Sequence, residues 1–267
     1  FILRHLHGGK LVNLLTNYLE LYLLFQYLYS LSLERYIPMS SLNDVSLIIA
    51  TYNEEESIGF VLDEIADYDF FEVLIVDGHS TDKTVEIAKT YKTKIIKQIG
   101  NGWGSAVVEG FNQASGKYLT YIDGDGSYRP SSIYEMREEI NNYDAVFCSR
   151  YKDGNKSPDD TFIRMVGNKI YTKFVRVLFN ISITDALFFY PLIKKTDFNK
   201  INPRSTYFTI CIEIPVLISK LQIKYLDLLS TERERYSGIS KVNALIDGAK
   251  ILYGIAKLKL RRIWNFI

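Results

Sequence analysis

Short apolar segments alternate with helical segments from Val45 onward, and this alternation limits the possible folds more than any other feature. Strands are predicted over residues 45–50, 72–77, 94–99, 117–123 and 144–149, and helices over residues 55–68, 81–91, 104–114 and 130–140. Apolar strands that alternate with helices form a parallel sheet that is covered on both faces. We therefore expect an α/β fold with a mostly parallel central sheet and helices on both faces.

The sequence changes character after Arg150. Helices are predicted over residues 162–179 and 210–220, a strand over residues 223–229, and a last amphipathic helix over residues 241–267. That last helix starts at Lys241 and carries five further cations against the single acid Asp247; these are Lys250, Lys257, Lys259, Arg261 and Arg262. These patterns divide the chain into three regions: an amino-terminal helical extension (1–40), a main domain (41–240) and a basic amphipathic helix (241–267).

The amino-terminal extension is open to three interpretations. Residues 11–33 are rich in Leu and Tyr, but polar residues interrupt them, including Glu20. A spanning helix needs about 20 mostly apolar residues, so an amphipathic helix on a membrane or on the main domain is favoured over a spanning segment. The chain begins with Phe, and Met39 resembles a natural start. Residues 1–38 are therefore equally well explained as an upstream extension with no role in the fold.

Composition excludes several classes of protein. The chain is 47% hydrophobic and 24% charged, which is typical of a globular protein. A net charge of +1 gives no general argument for nucleic-acid binding, and none is expected. The two cysteines and three histidines show no metal-ligand spacing, so a reducing compartment, the cytoplasm, is the simplest location.

Two carboxylates, Asp123 and Asp125, follow the predicted strand 117–123. Ligands of such sheets bind beyond the carboxyl ends of the strands. Mg²⁺ is usually bound by one or two carboxylates together with substrate phosphates, so this pair is a candidate metal site. An ordinary acidic turn is the alternative.

Polar residues also follow the first two strands. Tyr52 and Glu54 could stack on and hydrogen-bond a nucleoside, although acids at a helix N-terminus would give the same pattern. Asp77 could accept a proton from a base N–H. The alternative is a turn in which Ser80 or Thr81 caps the next helix.

Two further segments suit phosphate or sugar. The glycine-rich segment 100–106, which contains Gly102, opens a helix but is neither a dinucleotide fingerprint nor a P-loop. A dehydrogenase or a P-loop NTPase is thereby disfavoured. The segment 235–241 places Arg235 and Lys241 around a glycine turn, which suits a diphosphate, with a solvated basic loop as the alternative.

Together these motifs resemble the family 2 glycosyltransferases, in particular the dolichol-phosphate mannosyltransferase and polyprenyl-phosphate glycosyltransferase branch. The resemblance runs from about Val45 to about Ile255. It rests on the segments T-Y-N-E (51–54), I-V-D-x-x-S-x-D-x-T (75–84), D-x-D (123–125), S-R-Y (149–151) and R-x-x-G-x-S-K (235–241). The last segment is specific to the polyprenyl-phosphate branch.

The resemblance implies a GT-A fold and a role for each matched residue. Tyr52, Glu54 and Asp77 would hold the nucleoside, and Asp123 and Asp125 would act through Mg²⁺ or Mn²⁺. Arg150, Arg235 and Lys241 would bind phosphates. Thr51, Gly102 and Ser240 complete the predicted substrate site, and Glu213 aligns loosely with an acid of the family. Gly78 stands where the family has a second Asp, and the segment after Asp185 lacks the usual Gly and basic residue.

The implied reaction is metal-assisted transfer of a hexose, with inversion, from a UDP- or GDP-sugar to a dolichyl or polyprenyl phosphate. The segment 102–107 is more similar to the glucosyl branch, which favours UDP. The protein would lie on the cytoplasmic face of a membrane, held by its basic tail helix. Two alternatives remain open: a glycan or protein acceptor, and a nucleotide-sugar-binding protein without turnover.

Overall fold

The structure is a computed structural model, and it describes residues 41–155, 157–158, 161–230, 232–237 and 244–264. The strands are β1 (Val45–Thr51), β2 (Glu72–Asp77), β3 (Lys94–Lys97), β4 (Tyr118–Asp123), β5 (Ala145–Ser149), β6 (Pro191–Lys194) and β7 (Tyr225–Leu229). The helices are α1 (Ile58–Ile65), α2 (Thr84–Ala88), α3 (Trp103–Gln113), α4 (Ser132–Glu139), α5 (Phe162–Phe179), α6 (Lys195–Phe198), α7 (Ile210–Lys220) and α8 (Ala244–Trp264). A short 3₁₀ turn covers Lys152–Gly154.

These strands form one seven-stranded sheet in the order β3-β2-β1-β4-β6-β5-β7. β1 pairs in parallel with β2 and β4, and β5 pairs in parallel with β7. β6 runs antiparallel to both of its neighbours, β4 and β5. The α/β architecture with a mostly parallel sheet is therefore confirmed.

The central strands are apolar because helices cover both faces of the sheet. Leu47, Ile48 and Ile49 of β1 are fully buried although they point alternately to opposite faces. The main core joins them to side chains of the flanking helices, such as Val107 and Phe111 of α3. This packing fixes where the strands end, and hence where the loops that follow them meet.

Most element bounds agree with the sequence to within a few residues, and two differences are informative. The helix predicted to start near residue 81 begins at Thr84, because Asp82 rather than Ser80 or Thr81 accepts the Thr84 N–H, at 3.0 Å. Strand β6 was not predicted. It has only four residues and follows the aromatic segment after Asp185, which was interpreted as an altered acceptor motif.

A smaller apolar cluster joins α8 to the rest of the domain. Ile251, Ile255 and Leu258 of α8 are buried together with Val175 and Phe179 of α5. The apolar face of the basic tail helix is therefore used in packing. The structure describes no helix with the length and hydropathy needed to cross a bilayer. The predicted extension 1–40 lies outside the described residues.

Candidate active site

A cleft of about 620 Å³ opens where β1, β2 and β4 end. Seven of the residues predicted from the sequence line it: Thr51, Tyr52, Glu54, Gly102, Asp123, Asp125 and Arg235. The parallel register places the ends of neighbouring strands side by side, because Thr51 pairs with Asp77 and Ala50 with Asp123. The sheet therefore brings together segments that are some 70 residues apart in sequence.

The loops after β1 and β2 hold each other in place. Asn53 adopts a positive φ of 53°, and its Oδ1 accepts the Thr81 N–H at 2.8 Å. The Asn53 N–H donates to Ser80 Oγ at 3.0 Å, and Glu55 accepts the Lys83 N–H at 3.0 Å. Side-chain bonds to backbone groups replace secondary structure here, so this wall of the cleft is preorganised.

Asp77 contributes to the same wall from beneath. Its buried carboxylate accepts the backbone N–H groups of His79 and Ser80, each at 3.2 Å. His79 has a positive φ of 67°, which these bonds stabilise. Asp77 is absent from the cleft lining, so its described contacts shape the turn, and its predicted contact with a base stays a prediction.

Two residues at the end of β1 offer groups to a ligand. The buried Thr51 hydroxyl has no hydrogen-bond partner among the described residues. Such groups are uncommon, because an unpaired buried polar atom costs about 1–3 kcal/mol. Next to it, the Tyr52 side chain is 53% exposed at the mouth of the cleft. A ribose or base in the cleft would stack on Tyr52 and could use the Thr51 hydroxyl.

The floor of the cleft is aromatic and begins at α3. Gly102 has a φ of 86°, and a Cβ there would lie 2.5 Å from the Thr206 carbonyl oxygen. Glycine is therefore required where the loop 204–209 crosses α3. The Trp103 indole then stacks on Phe208, with ring centroids 5.3 Å apart, and its Nε1–H donates to the Tyr121 hydroxyl at 2.6 Å.

The Tyr121 hydroxyl in turn donates to Asp123. Burial, together with the nearby Asp125 carboxylate, raises the pKa of Asp123 from 3.8 to about 7, although the Tyr121 hydrogen bond lowers it. Burial also raises the pKa of Tyr121 well above its usual value, so its hydroxyl stays protonated. The site therefore concentrates negative charge that a cation would stabilise.

The segment 232–237 lies directly against the acidic loop after β4. The Arg233 N–H donates to the Ser127 carbonyl at 3.0 Å, and the Tyr236 N–H donates to the Asp125 carbonyl at 2.9 Å. Between them, Arg235 Nη1 lies 3.2 Å from Asp125 Oδ2. Asp125 Oδ1 accepts hydrogen bonds from the backbone N–H and from the hydroxyl of Ser127. The start of the late R-x-x-G-x-S-K motif and the D-x-D motif therefore form one unit. We call Asp123, Asp125 and Arg235 the cleft cluster.

Arg150 lies in a different environment. Its guanidinium is buried and contacts two acids, Asp185 at 2.8 Å and Glu232 at 3.3 Å. Glu232 also accepts the Ser157 hydroxyl at 2.6 Å. We call Arg150, Asp185 and Glu232 the buried cluster. Arg150 does not line the cleft, so its predicted phosphate contact stays a prediction.

The remaining predicted residues fall in two places. Ser240 and Lys241 lie outside the described residues. Glu213 is buried, and its Oε2 accepts the N–H groups of Arg204 at 3.0 Å and Ser205 at 2.6 Å. Among the described atoms it therefore fixes the loop 204–209 rather than lining the cleft.

The lining residues that sequence reasoning did not assign to the site include Gln98, Trp103 and Phe208. Gln98 directly follows the observed β3 but lies inside the strand predicted over residues 94–99, so the strand-end rule did not point to it. A Cβ at Gly78 would lie 3.1 Å from Gln98 Oε1, which shows that this amide borders the position where the family has a second Asp. Phe208 gave no local signal, because only folding brings it to Trp103.

The donor atoms suit a hard divalent cation held jointly with a ligand. Among the described residues no group of three or more His, Cys, Asp or Glu side chains meets in a metal-binding arrangement. The cleft instead offers the two carboxylates Asp123 and Asp125. Mg²⁺ typically takes one or two carboxylates and completes its shell with phosphates and water, so the pair fits such an ion.

Comparison with known proteins gives concordant results. The model of glycosyl transferase family 2 matches residues 46–202. Glycosyltransferase AglJ of Haloferax volcanii is 30% identical over 221 residues, which make up 82% of this chain and 71% of AglJ. Dolichol-phosphate mannosyltransferase of Pyrococcus furiosus is 34% identical over 134 residues, which make up 47% of this chain and 38% of that protein.

Among solved structures, glucosyl-3-phosphoglycerate synthase from Mycobacterium tuberculosis is similar, with a TM-score of 0.60 at 15% identity. The match covers 80% of this chain and 79% of that one. That structure is a complex with Mn²⁺, UDP and glucosyl-3-phosphoglycerate. At this identity the likeness concerns the fold alone, and it confirms the predicted GT-A fold.

Proposed function

Because the chain belongs to glycosyltransferase family 2, we propose that it moves a hexose from a nucleotide-diphosphate sugar to a dolichyl or polyprenyl phosphate. The proposal rests on the contacts that join the acidic loop after β4 to the segment 232–237. These contacts place Arg235 beside Asp125 at the carboxyl edge of the sheet. A cation and two carboxylates at one point suit a diphosphate that is held partly through a divalent ion.

Each wall of the cleft has a defined part in donor binding. Tyr52 and the Thr51 hydroxyl face the nucleoside, and Gln98 offers amide groups to its base. Asp123 and Asp125 would hold Mg²⁺ or Mn²⁺, which would neutralise charge on the leaving diphosphate. Arg235 stabilises the same charge through its guanidinium. UDP is the favoured nucleotide only because the segment 102–107 is more similar to the glucosyl branch of the family.

The acceptor assignment is supported by one relative and by chemistry. The similar protein from Pyrococcus furiosus is named a dolichol-phosphate mannosyltransferase. A phosphate monoester carries about −1.5 to −2 charges at pH 7 and is already a nucleophile, so a strong general base is unnecessary. We assign none. The reaction is a direct displacement at the anomeric carbon, with inversion.

A lipid acceptor requires contact with a membrane surface, and α5 offers one. Phe162, Ile170 and Val177 of α5 are 75%, 64% and 78% exposed, with the cations Lys169 and Lys173 beside them. Exposed apolar side chains flanked by cations are typical of helices that lie on anionic bilayers. We infer that α5 supplies the apolar contact on the cytoplasmic face, while α8, whose apolar face is packed, adds cations.

The decisive assay supplies UDP-glucose or GDP-mannose with Mn²⁺ and a polyprenyl phosphate, and measures sugar in the lipid extract. Transfer to the lipid phosphate is expected, and phosphoglycerate or a soluble glycan should accept no sugar. Asp67→Asn serves as a matched control for substitutions in the acidic pair, because Asp67 is an exposed acid outside the cleft. Transfer to a soluble acceptor alone would exclude the lipid-phosphate assignment.

The membrane part has its own test in vesicle sedimentation. Replacing Ile170 and Val177 with Asn should reduce pelleting with anionic vesicles several-fold. Ile99→Asn is the control, because Ile99 is 88% exposed but follows β3 at the edge of the sheet. Equal losses in both proteins, or no loss in either, would contradict a membrane contact through α5.

A further inference from the structure

A second pocket, of about 350 Å³, lies between the loop 204–209 and α8. Three cations line it, Arg204, Lys250 and Lys257, and its lining contains no acid. Arg204 belongs to the loop and the two lysines belong to α8, so an anion in this pocket could contact cations from both walls. This pocket is distinct from the cleft at the ends of β1, β2 and β4, whose lining is rich in carboxylates.

This pocket has a defined shape because both of its walls are fixed. Glu213 holds the loop by accepting the N–H groups of Arg204 and Ser205. On the other wall, a Cβ at Gly254 would lie 2.1 Å from Thr209 Oγ1, so only glycine lets α8 approach the loop this closely. Ile251 and Leu258 are buried beside this contact and anchor the helix.

The lining combines groups that suit a phosphate with a surface that suits an apolar substituent. Ser205 and Thr206 add hydroxyl groups to the cations. Tyr207, Ile251 and Tyr253 provide the apolar part, and Lys250 lies over the Tyr207 ring at 5.7 Å. Arginine binds phosphate in a fork and lysine as a point charge, so the cations match a dianion better than a single carboxylate.

The two pockets share one wall. Phe208 lines both, and it stacks on Trp103, whose indole N–H is bonded to Tyr121 beside Asp123. Phe208 is therefore the side chain at which the two pockets adjoin. The pockets remain separate compartments, divided by the loop 204–209.

We propose that the second pocket binds a phosphomonoester that carries an apolar substituent, separately from the donor diphosphate. The phosphate lies among Arg204, Lys250 and Lys257, and the substituent lies along Tyr207 and Tyr253. A membrane lipid phosphate and a soluble phosphate ester share this chemistry. Binding at this pocket requires neither a sugar donor nor turnover, so it can be tested independently of the proposed reaction.

The test is titration calorimetry of the full chain, without metal, using farnesyl monophosphate, farnesol and inorganic phosphate. Farnesyl monophosphate should bind at least about tenfold more tightly than farnesol, because charge-assisted hydrogen bonds to the phosphate add to the affinity. Saturating UDP should leave this binding unchanged. Inorganic phosphate should bind at least about tenfold more weakly than farnesyl monophosphate, because it lacks the apolar substituent; equal affinities would contradict the assignment of that substituent.

Location is tested with two triple variants of equal charge. Replacing Arg204, Lys250 and Lys257 with Gln should weaken farnesyl monophosphate about 30-fold or more, since two or three charge-assisted bonds are lost. The control replaces Lys89, Lys92 and Lys94, exposed cations in and just before β3 at the edge of the sheet, and should change affinity less than about twofold. Unchanged melting temperatures verify folding, and Lys257→Gln alone, on an exposed side chain, provides a milder variant.

Three further results would overturn the proposal. In the first, the β3 control loses as much affinity as the pocket variant, which indicates general surface attraction. In the second, UDP displaces the lipid phosphate completely, which places it in the donor cleft. In the third, farnesol binds as tightly as farnesyl monophosphate. None of these results bears on sugar transfer, so failure here and failure of the proposed reaction are separable.

Discussion

The cleft cluster and the buried cluster contain the same residue types, two acids and one arginine, yet their surroundings differ. In the buried cluster the guanidinium of Arg150 contacts both acids, and all three side chains are buried. In the cleft cluster the ion pair is between Arg235 and Asp125, and Asp123 is bonded to the neutral hydroxyl of Tyr121. We therefore expect the buried cluster to act on stability and the cleft cluster to act on ligand binding.

The comparison teaches that residue type at a strand end is insufficient to assign function. Arg150 and Asp123 both lie at or just beyond the end of a strand, which is why sequence reasoning gave both a part in binding. Packing separates them: the aromatic ring of Phe188 lies 4.9 Å from the Arg150 guanidinium, whereas Asp123 lines open space. Four substitutions test the distinction, in order of expected effect on free energy.

Of the four substitutions, Arg150→Met should have the largest effect, and that effect should be a loss of stability. It leaves Asp185 and Glu232 buried without their cation, which typically costs about 3–5 kcal/mol. Urea unfolding monitored by circular dichroism should show this loss in the free energy of unfolding. A variant with wild-type stability but lost transfer would place Arg150 in the binding machinery and break the comparison.

Asp125→Asn should act on catalysis instead. It keeps the shape of the side chain and its capacity to accept from Ser127, but removes the charge that faces the metal and Arg235. We expect transfer to fall by about 10²–10³-fold, by analogy with losing one electrostatic contact to a transition state. Initial rates in Mn²⁺ measure this, and near wild-type rates would exclude Asp125 as a metal ligand.

Asp123→Asn should stabilise the metal-free protein in a pH-dependent way. The folded-state pKa of Asp123 is raised from 3.8 to about 7, so its contribution to stability is fully present below about pH 4 and lost as the pH rises through 7. In EDTA the variant should gain about 1 kcal/mol or more at pH 8, and this gain should shrink towards pH 5. A gain that is independent of pH would contradict a charge effect.

Much of this organisation was predictable from the sequence because it depends on short patterns of neighbouring residues. The strands β1, β2 and β4 are apolar runs followed by polar turns, so both their positions and their ligand-binding ends follow from the pattern. Helices α5 and α7 were predicted at the residues where they occur, since each is a sustained periodic segment. The ion pair between Arg235 and Asp125 was not predicted, because the family resemblance assigned Arg235 to phosphates and Asp125 to a metal.

What the sequence did not reveal depends on contacts between distant segments. Strand β6 has four residues and is defined by its neighbours β4 and β5, because no pattern that short distinguishes a strand from a loop. The burial of Arg150 depends on Asp185 and Glu232, 35 and 82 residues further along the chain. The second cationic pocket likewise arises only when the loop 204–209 meets α8.

Arg235→Gln should have the smallest effect on stability and so gives the sharpest contrast with Arg150→Met. The Arg235 side chain is 26% exposed, and an ion pair with partial access to water contributes about 1 kcal/mol or less. Water can solvate Asp125 once the guanidinium is gone, so the free energy of unfolding should change by no more than that amount. Transfer should still fall, because the cation beside the diphosphate is lost. A stability loss equal to that of Arg150→Met, measured in the same urea titration, would show that both clusters belong to the structural frame.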